Sequence, residues 1–99
     1  MASFSLVFTA AAAEHLEQLE RDSGLAKRLK AVRKTLARLE TEPRHPGLQS
    51  HEFKSLSSVR EGKVFASYAE QDTPAAYRVF WRYGPGKGQV TIVAITSHP

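Results

Sequence analysis

The chain has 99 residues, of which 41% are hydrophobic and 24% charged, a balance typical of one globular domain rather than of a disordered chain. The formal net charge is +4 and there is no cysteine, which excludes disulfide scaffolds, thiolate metal sites and cysteine nucleophiles. The sequence has no apolar run of the roughly 18 residues that span a membrane, and its start lacks the charged segment of a signal peptide. We therefore expect one cytoplasmic domain, residues 1–99, with no membrane partner.

The first half of the chain predicts a strand followed by two helices. Residues 4–8 alternate apolar and polar side chains at their start, which is typical of a strand, and Thr9 is a suitable N-cap for the alanines that follow. A second helix is predicted from Leu25 to Thr41, because leucine and valine recur there at spacings of three and four. Acidic residues on the first helix and basic residues on the second favour an antiparallel hairpin. We interpret the basic side as solvated, with nonspecific nucleic-acid contact as the alternative.

The second half of the chain predicts strands. Residues 51–56 alternate weakly and indicate a short strand, and residues 63–71 indicate another. The clearest strand is 76–83, in which one face carries the aromatic residues Tyr77, Trp81 and Tyr83 together with Val79, and the other carries Arg78, Phe80 and Arg82. After a glycine-rich turn at 84–88, the almost continuous apolar run 90–95 is typical of a strand buried on both faces.

This order of elements predicts an α+β fold. We expect an antiparallel-rich twisted sheet of about four strands, with the helical hairpin packed on the face of Tyr77, Val79 and Trp81. A hairpin centred on Gly86 would place Arg78 opposite Ala94.

The chain resembles the RelE/ParE toxin superfamily in its length, its basic charge and its order of elements. The resemblance covers nearly the whole chain and rests most on residues 73–81, TPAAYRVFW, followed by 90–95 and the closing residues 96–99, TSHP. Pro46-Gly47-Leu48, leading into a short strand, also fits the family. The resemblance implies a RelE-like fold and an antitoxin partner encoded beside the toxin.

Members of this superfamily include ribosome-dependent messenger-RNA endonucleases, gyrase poisons and proteins with no established activity. We interpret the chain as the toxin of a type II toxin–antitoxin system. Its expected activity is metal-independent cleavage of messenger RNA in the ribosome, which inhibits translation. Its expected partners are the antitoxin, in a hetero-oligomer, and the ribosome with its message. The alternatives are a ParE-like gyrase poison and an inactive member that binds antitoxin and co-regulates its operon.

The resemblance also implies candidate catalytic residues. Arg78 matches the arginine that holds the scissile phosphate in RelE-like ribonucleases, and its planar fork suits two phosphate oxygens. The alternative is a structural arginine paired with Glu52, Glu70 or the C-terminal carboxylate. His98 matches a terminal-strand histidine that can act as a general acid or base. Active members often carry a nearby C-terminal tyrosine where Pro99 ends this chain, so the alternative for His98 is a terminal residue without a role.

Further cations are expected to contact the RNA backbone, as in the family: Lys54, Arg60, Lys63 and Arg82. We discount His51 and Glu52 as an acid–base pair, because adjacent strand residues point to opposite faces. The sequence has no Asp, Glu and His cluster with metal-ligand spacing and no glycine-rich phosphate loop between a strand and a helix, so we expect no metal and no cofactor. RNA carries its own nucleophile in the ribose 2′-OH, which needs no metal-bound water.

Overall fold

A computed structural model describes residues 3–97 of the chain. The elements in order are β1 (Ser5–Phe8), α1 (Ala10–Arg21), α2 (Ala26–Thr41), β2 (His51–Glu52), β3 (Phe65–Tyr68), β4 (Arg78–Tyr83) and β5 (Gln89–Thr96), with 3-10 turns at Ser23–Leu25 and Pro46–Leu48. The predicted α+β fold is confirmed. The sheet has five strands rather than about four, because both β1 and the two-residue β2 join it.

The sheet is mixed and has the strand order β1-β5-β4-β3-β2. Only the β1–β5 pair is parallel, and the three other pairs are antiparallel. β5 therefore has a neighbour on each side, and most of its residues are buried. β1 covers one edge of β5 over Gln89–Ile92 and β4 covers the other edge, which explains the almost continuous apolar sequence of this strand.

Both helices pack on the predicted face of the sheet. Val79 and Trp81 are buried there against the apolar stripes of the helices, and Tyr77 packs at the margin of this core. The buried helix residues are Ala12, Leu19, Val32, Leu36 and Leu39. The oppositely charged helix flanks meet where Nη2 of Arg33 on α2 lies 3.1 Å from Oε2 of Glu20 on α1.

The register of β4 against β5 differs from the predicted one. Arg78 lies opposite Thr96, whereas we expected Ala94. The first pair after the turn is Tyr83–Val90, so the register is already shifted by one residue from a turn centred on Gly86. A second shift of one residue occurs between this pair and Arg78.

That second shift is a β-bulge at Val93. The pairing changes between Phe80 and Trp81, and Val93 is the unpaired extra residue on β5. Its carbonyl oxygen accepts a hydrogen bond from the hydroxyl of Thr9, 2.8 Å away, and the same hydroxyl oxygen accepts the backbone N–H of Ala12 at the start of α1. The bulge thus lies where α1 is attached to β5, a contact between residues 84 positions apart.

Candidate active site

Arg78 is the first residue of β4 and lies on the sheet face opposite the helices. Tyr68 on β3 is directly across from it on one side, and Thr96 on β5 is directly across on the other. Residues that face each other across antiparallel strands point to the same side of the sheet. Tyr68, Arg78 and Thr96 therefore form a row across three strands, at the end of the sheet away from the 84–88 turn.

The guanidinium of Arg78 is half-buried and has no acidic partner among residues 3–97. Its Nε is buried and has no hydrogen-bond acceptor in this part of the chain. Its Cζ lies 5.4 Å from the centroid of the Tyr68 ring. Glu70, one of the partners considered from the sequence, instead accepts from Nε of Arg28 at 2.8 Å. Glu52 makes no ion pair with Arg78 either.

The N–H groups of Arg78 are thus not neutralised by a carboxylate of the described chain. A guanidinium in this state can bind a phosphate through two parallel hydrogen bonds. Arginine is seldom buried without a partner, so the position is suited to an anion that arrives with a ligand.

His51 is a residue of this site that sequence reasoning discounted. Its ring centroid lies 5.9 Å from that of Tyr68. His51 pairs with Ala66, two residues from Tyr68 on β3, so the two rings meet diagonally on one face. The discounted pairing with Glu52 remains excluded by the strand geometry. The diagonal contact was not visible in the sequence, because it depends on how β2 aligns with β3 across a twelve-residue connection, 53–64.

The middle of this sheet face is covered by apolar side chains. Phe80 is fully buried in a second cluster with Val64, Ala66 and Ala94, and Phe53 and Leu56 pack against it. The rings of Phe53 and Phe80 meet edge to face, with centroids 5.0 Å apart. Phe53 and Leu56 therefore form an apolar cover over this part of the sheet face.

The other predicted RNA-binding cations lie on β4 and on the connection between β2 and β3. Arg82 is four residues along β4 from Arg78, which corresponds to about 13 Å at ~3.3 Å per residue. Its Nη2 lies 3.7 Å from Oε2 of Glu61. The exposed residues Lys54, Arg60 and Lys63 all belong to the connection between β2 and β3. The structure therefore separates Arg78 from Arg82, and the predicted RNA contacts of these four cations stay predictions.

His98 lies outside the described residues. Thr96, the partner of Arg78 in the ladder, precedes it by two residues in the sequence. In the sequence, His98 is four positions after Ala94, the predicted partner of Arg78, and two positions after Thr96, the observed partner.

The chain is similar to solved structures of bacterial toxins. A YoeB/ParE toxin from Agrobacterium tumefaciens matches with a TM-score of 0.72 and 10% sequence identity, over 97% of this chain and 100% of that one. A YoeB dimer from Staphylococcus aureus matches with a TM-score of 0.68 and 14% identity, over 99% of this chain and 100% of that one. No family model and no curated protein matches the sequence.

The chain has the fold of the YoeB/ParE toxins. The resemblance to the RelE/ParE superfamily, which rested on sequence motifs and element order, is thereby confirmed at the level of the fold. Identities of 10% and 14% leave the activity to be argued from the site itself.

Within this YoeB/ParE-like fold, two adjoining hollows of about 410 and 450 Å³ lie away from Arg78. Both are lined by Pro43, Arg44 and the half-exposed Tyr83. A hollow of about 270 Å³ next to the candidate site is lined by Tyr68 and by Gln49, Glu70, Gln71, Asp72 and Ala76. Among residues 3–97, no three His, Asp or Glu side chains are grouped so that they could hold a metal ion, and no helix is long and apolar enough to cross a membrane.

Proposed function

We propose that this chain is the toxin of a type II toxin–antitoxin system and that it cleaves messenger RNA bound in the ribosome. The observation that carries the proposal is the guanidinium of Arg78, which is anchored on the sheet of a YoeB/ParE-like fold without a neutralising carboxylate in the described chain. Such a group is suited to a phosphate whose negative charge grows during the reaction.

The proposed reaction is an internal transfer within the RNA. The ribose 2′-oxygen attacks the adjacent phosphorus while a general base takes the 2′-OH proton. The bond from phosphorus to the 5′-oxygen of the next nucleotide breaks, and a general acid gives that oxygen a proton. The products are a 2′,3′-cyclic phosphate and a free 5′-OH. Arg78 stabilises the charge on the non-bridging oxygens.

His98 is the proposed acid or base, as expected from the resemblance. His51 is a second imidazole, which reaches the site through its contact with Tyr68. Lys54 and Arg82 are proposed as supporting cations, and Arg60 and Lys63 as further contacts to the RNA backbone. The separation of Arg82 from Arg78 along β4 suits a substrate that extends along the sheet rather than one phosphate held by all five cations.

The proposed partners follow from the same assignment. A ribosome would order the message over a shallow sheet that has few catalytic groups of its own. An antitoxin would neutralise the toxin by covering this basic domain with an acidic helix or strand. Co-expression with the neighbouring small open reading frame, followed by affinity purification, should recover a complex. Recovery of the chain alone as a monomer would contradict the antitoxin assignment.

Induction of the chain alone in cells tests the activity. The wild type should arrest growth and create new messenger-RNA 5′ ends within ribosome-bound messages. Arg78→Ala should reduce cleavage by the equivalent of about 2–4 kcal/mol of transition-state stabilisation. Arg21→Ala is the matched control, since the side chain of Arg21 is 74% exposed and lies on α1.

The outcomes separate the competing functions. Undiminished cleavage by a folded Arg78→Ala protein would remove Arg78 from the mechanism. Growth arrest with altered DNA supercoiling and intact messages would support the gyrase-poison alternative. A folded, antitoxin-binding chain that neither arrests growth nor cuts RNA would support the inactive alternative.

A further inference from the structure

Among the described residues 3–97, the guanidinium of Arg78 is contacted by an aromatic ring and by no carboxylate. Its Cζ lies 5.4 Å from the centroid of the Tyr68 ring, directly across the strand pair. Its buried Nε finds no hydrogen-bond acceptor between residues 3 and 97. We propose that Tyr68 is a positioning residue, which orients the guanidinium of Arg78 for an anionic ligand.

This way of holding an arginine suits a phosphate site. A carboxylate partner would occupy the N–H edge of the guanidinium and cancel its charge. A ring attracts the cation through its π face and leaves the N–H groups, which lie in the guanidinium plane, available to phosphate oxygens. Tyr68 therefore fixes the orientation of the cation without competing with the ligand.

The chain contains a second arginine–tyrosine contact that shows the contrast. Cζ of Arg28 lies 4.3 Å from the centroid of the Tyr77 ring, but its Nε also donates to Glu70 at 2.8 Å. That arginine is neutralised and links α2 to the segment before β4. Within residues 3–97, Arg78 has the ring and no carboxylate partner.

The Tyr68 ring is itself held by its neighbours. His51 on β2 packs against it, with the two ring planes inclined by 39°. Tyr68 ends β3, whose backbone pairs with β4 at this residue. The support for Arg78 thus comes from two paired strands, and positions fixed by strand pairing hold a side chain more closely than loop positions.

The test uses the side-chain Nε–H signal of Arg78 in ¹⁵N NMR, assigned by its absence in Arg78→Lys. The signal should be present and ordered in the wild type and in Tyr68→Phe, which keeps the ring. Tyr68→Leu should broaden or average it. Tyr77→Leu is the matched control: it removes the ring beneath Arg28 and should leave the Arg78 signal in place. Thermal melts check folding, and Tyr68→Met replaces Tyr68→Leu if that variant does not fold.

The role of Tyr68 in catalysis rests on the proposed function, whereas its hold on the guanidinium does not. In a cleavage assay, Tyr68→Leu should lower kcat by about 2- to 30-fold, the range of a cation–π contact, with a smaller change in KM. Tyr68→Phe should recover most of that loss.

Three results would overturn the inference. The first is an Arg78 signal that is as ordered in folded Tyr68→Leu as in the wild type. The second is an equal loss of kcat in Tyr68→Phe and Tyr68→Leu, and the third is an unchanged kcat in a Tyr68→Leu variant whose Arg78 signal is disordered. A wild type that cuts no RNA would refute the proposed function, and the NMR comparison would still decide whether Tyr68 orients Arg78.

Discussion

The indole N–H of Trp81 donates a hydrogen bond to the hydroxyl oxygen of Ser67, 2.7 Å away in the interior of the protein. Ser67 is fully buried on β3, and its hydroxyl also contacts that of Ser50. The bond satisfies the one polar atom of the largest buried side chain of the described chain. It also ties β4 to β3 on the helix face of the sheet, opposite the face that carries Arg78.

Ser67→Ala should destabilise the protein by about 1–3 kcal/mol, because it leaves the buried indole N–H without its acceptor. Ser55→Ala is the matched control, since Ser55 is exposed, and it should change stability by less than about 0.5 kcal/mol. Urea denaturation measures both. Equal midpoints for the two variants would show that the Trp81–Ser67 bond contributes no net stability.

Trp81→Ala should cost about 3–5 kcal/mol, because it opens a cavity between the sheet and the helices. The Trp81 side chain is 2% exposed and packs against the rings of Phe65 and Tyr83. Thermal unfolding of the wild type and of Trp81→Ala measures this loss of stability. A change in Tm of under one degree would mean that the ring is not part of the core.

Glu70→Gln should destabilise the protein by about 1–3 kcal/mol, because one carboxylate oxygen accepts from both Nε of Arg28 and the backbone N–H of Tyr77. The pair is mostly shielded from water, with side chains 24% and 16% exposed. Glu17→Gln is the control: its ion pair with Arg21 is exposed and should contribute less than about 0.5 kcal/mol. A loss for Glu70→Gln no larger than for the control would contradict this expectation.

Replacing Lys54, Arg60 and Lys63 together by Gln should weaken binding to single-stranded RNA uniformly across sequences. If each cation neutralises one phosphate, the slope of log K against log salt concentration should become less steep by about 2. The control replaces Lys27, Lys30 and Lys34 by Gln, which removes the same charge from the exposed side of α2. An equal change of slope in both triple variants would show that RNA does not prefer the surface of Lys54, Arg60 and Lys63.

Local pattern predicted much of the fold. The sequence predicted the apolar stripe of the helix between Leu25 and Thr41, the N-cap at Thr9 and the two faces of the strand around Trp81. Each of these features depends on residues within a few positions of one another. The superfamily fold was also recognisable, since it follows from the order of those elements.

Only part of the candidate site could be predicted from the sequence. Arg78 was a candidate because it matches the phosphate-binding arginine of RelE-like ribonucleases. Its contact with Tyr68 required the β3–β4 register, and its position opposite Thr96 required the bulge at Val93. His51 could not be assigned, because two residues of edge strand carry too little pattern to fix an alignment.

The sequence by itself determined which residues turn inward and which elements form, because burial periodicity is a local property of helices and strands. Only the tertiary structure decided which side chains meet on the far face of the sheet. There Phe53 and Leu56 cover Phe80, and Tyr68 holds Arg78. Those contacts depend on the register between strands and on the path of a long connection, and a one-residue change of register would move every side chain of a strand to the other face.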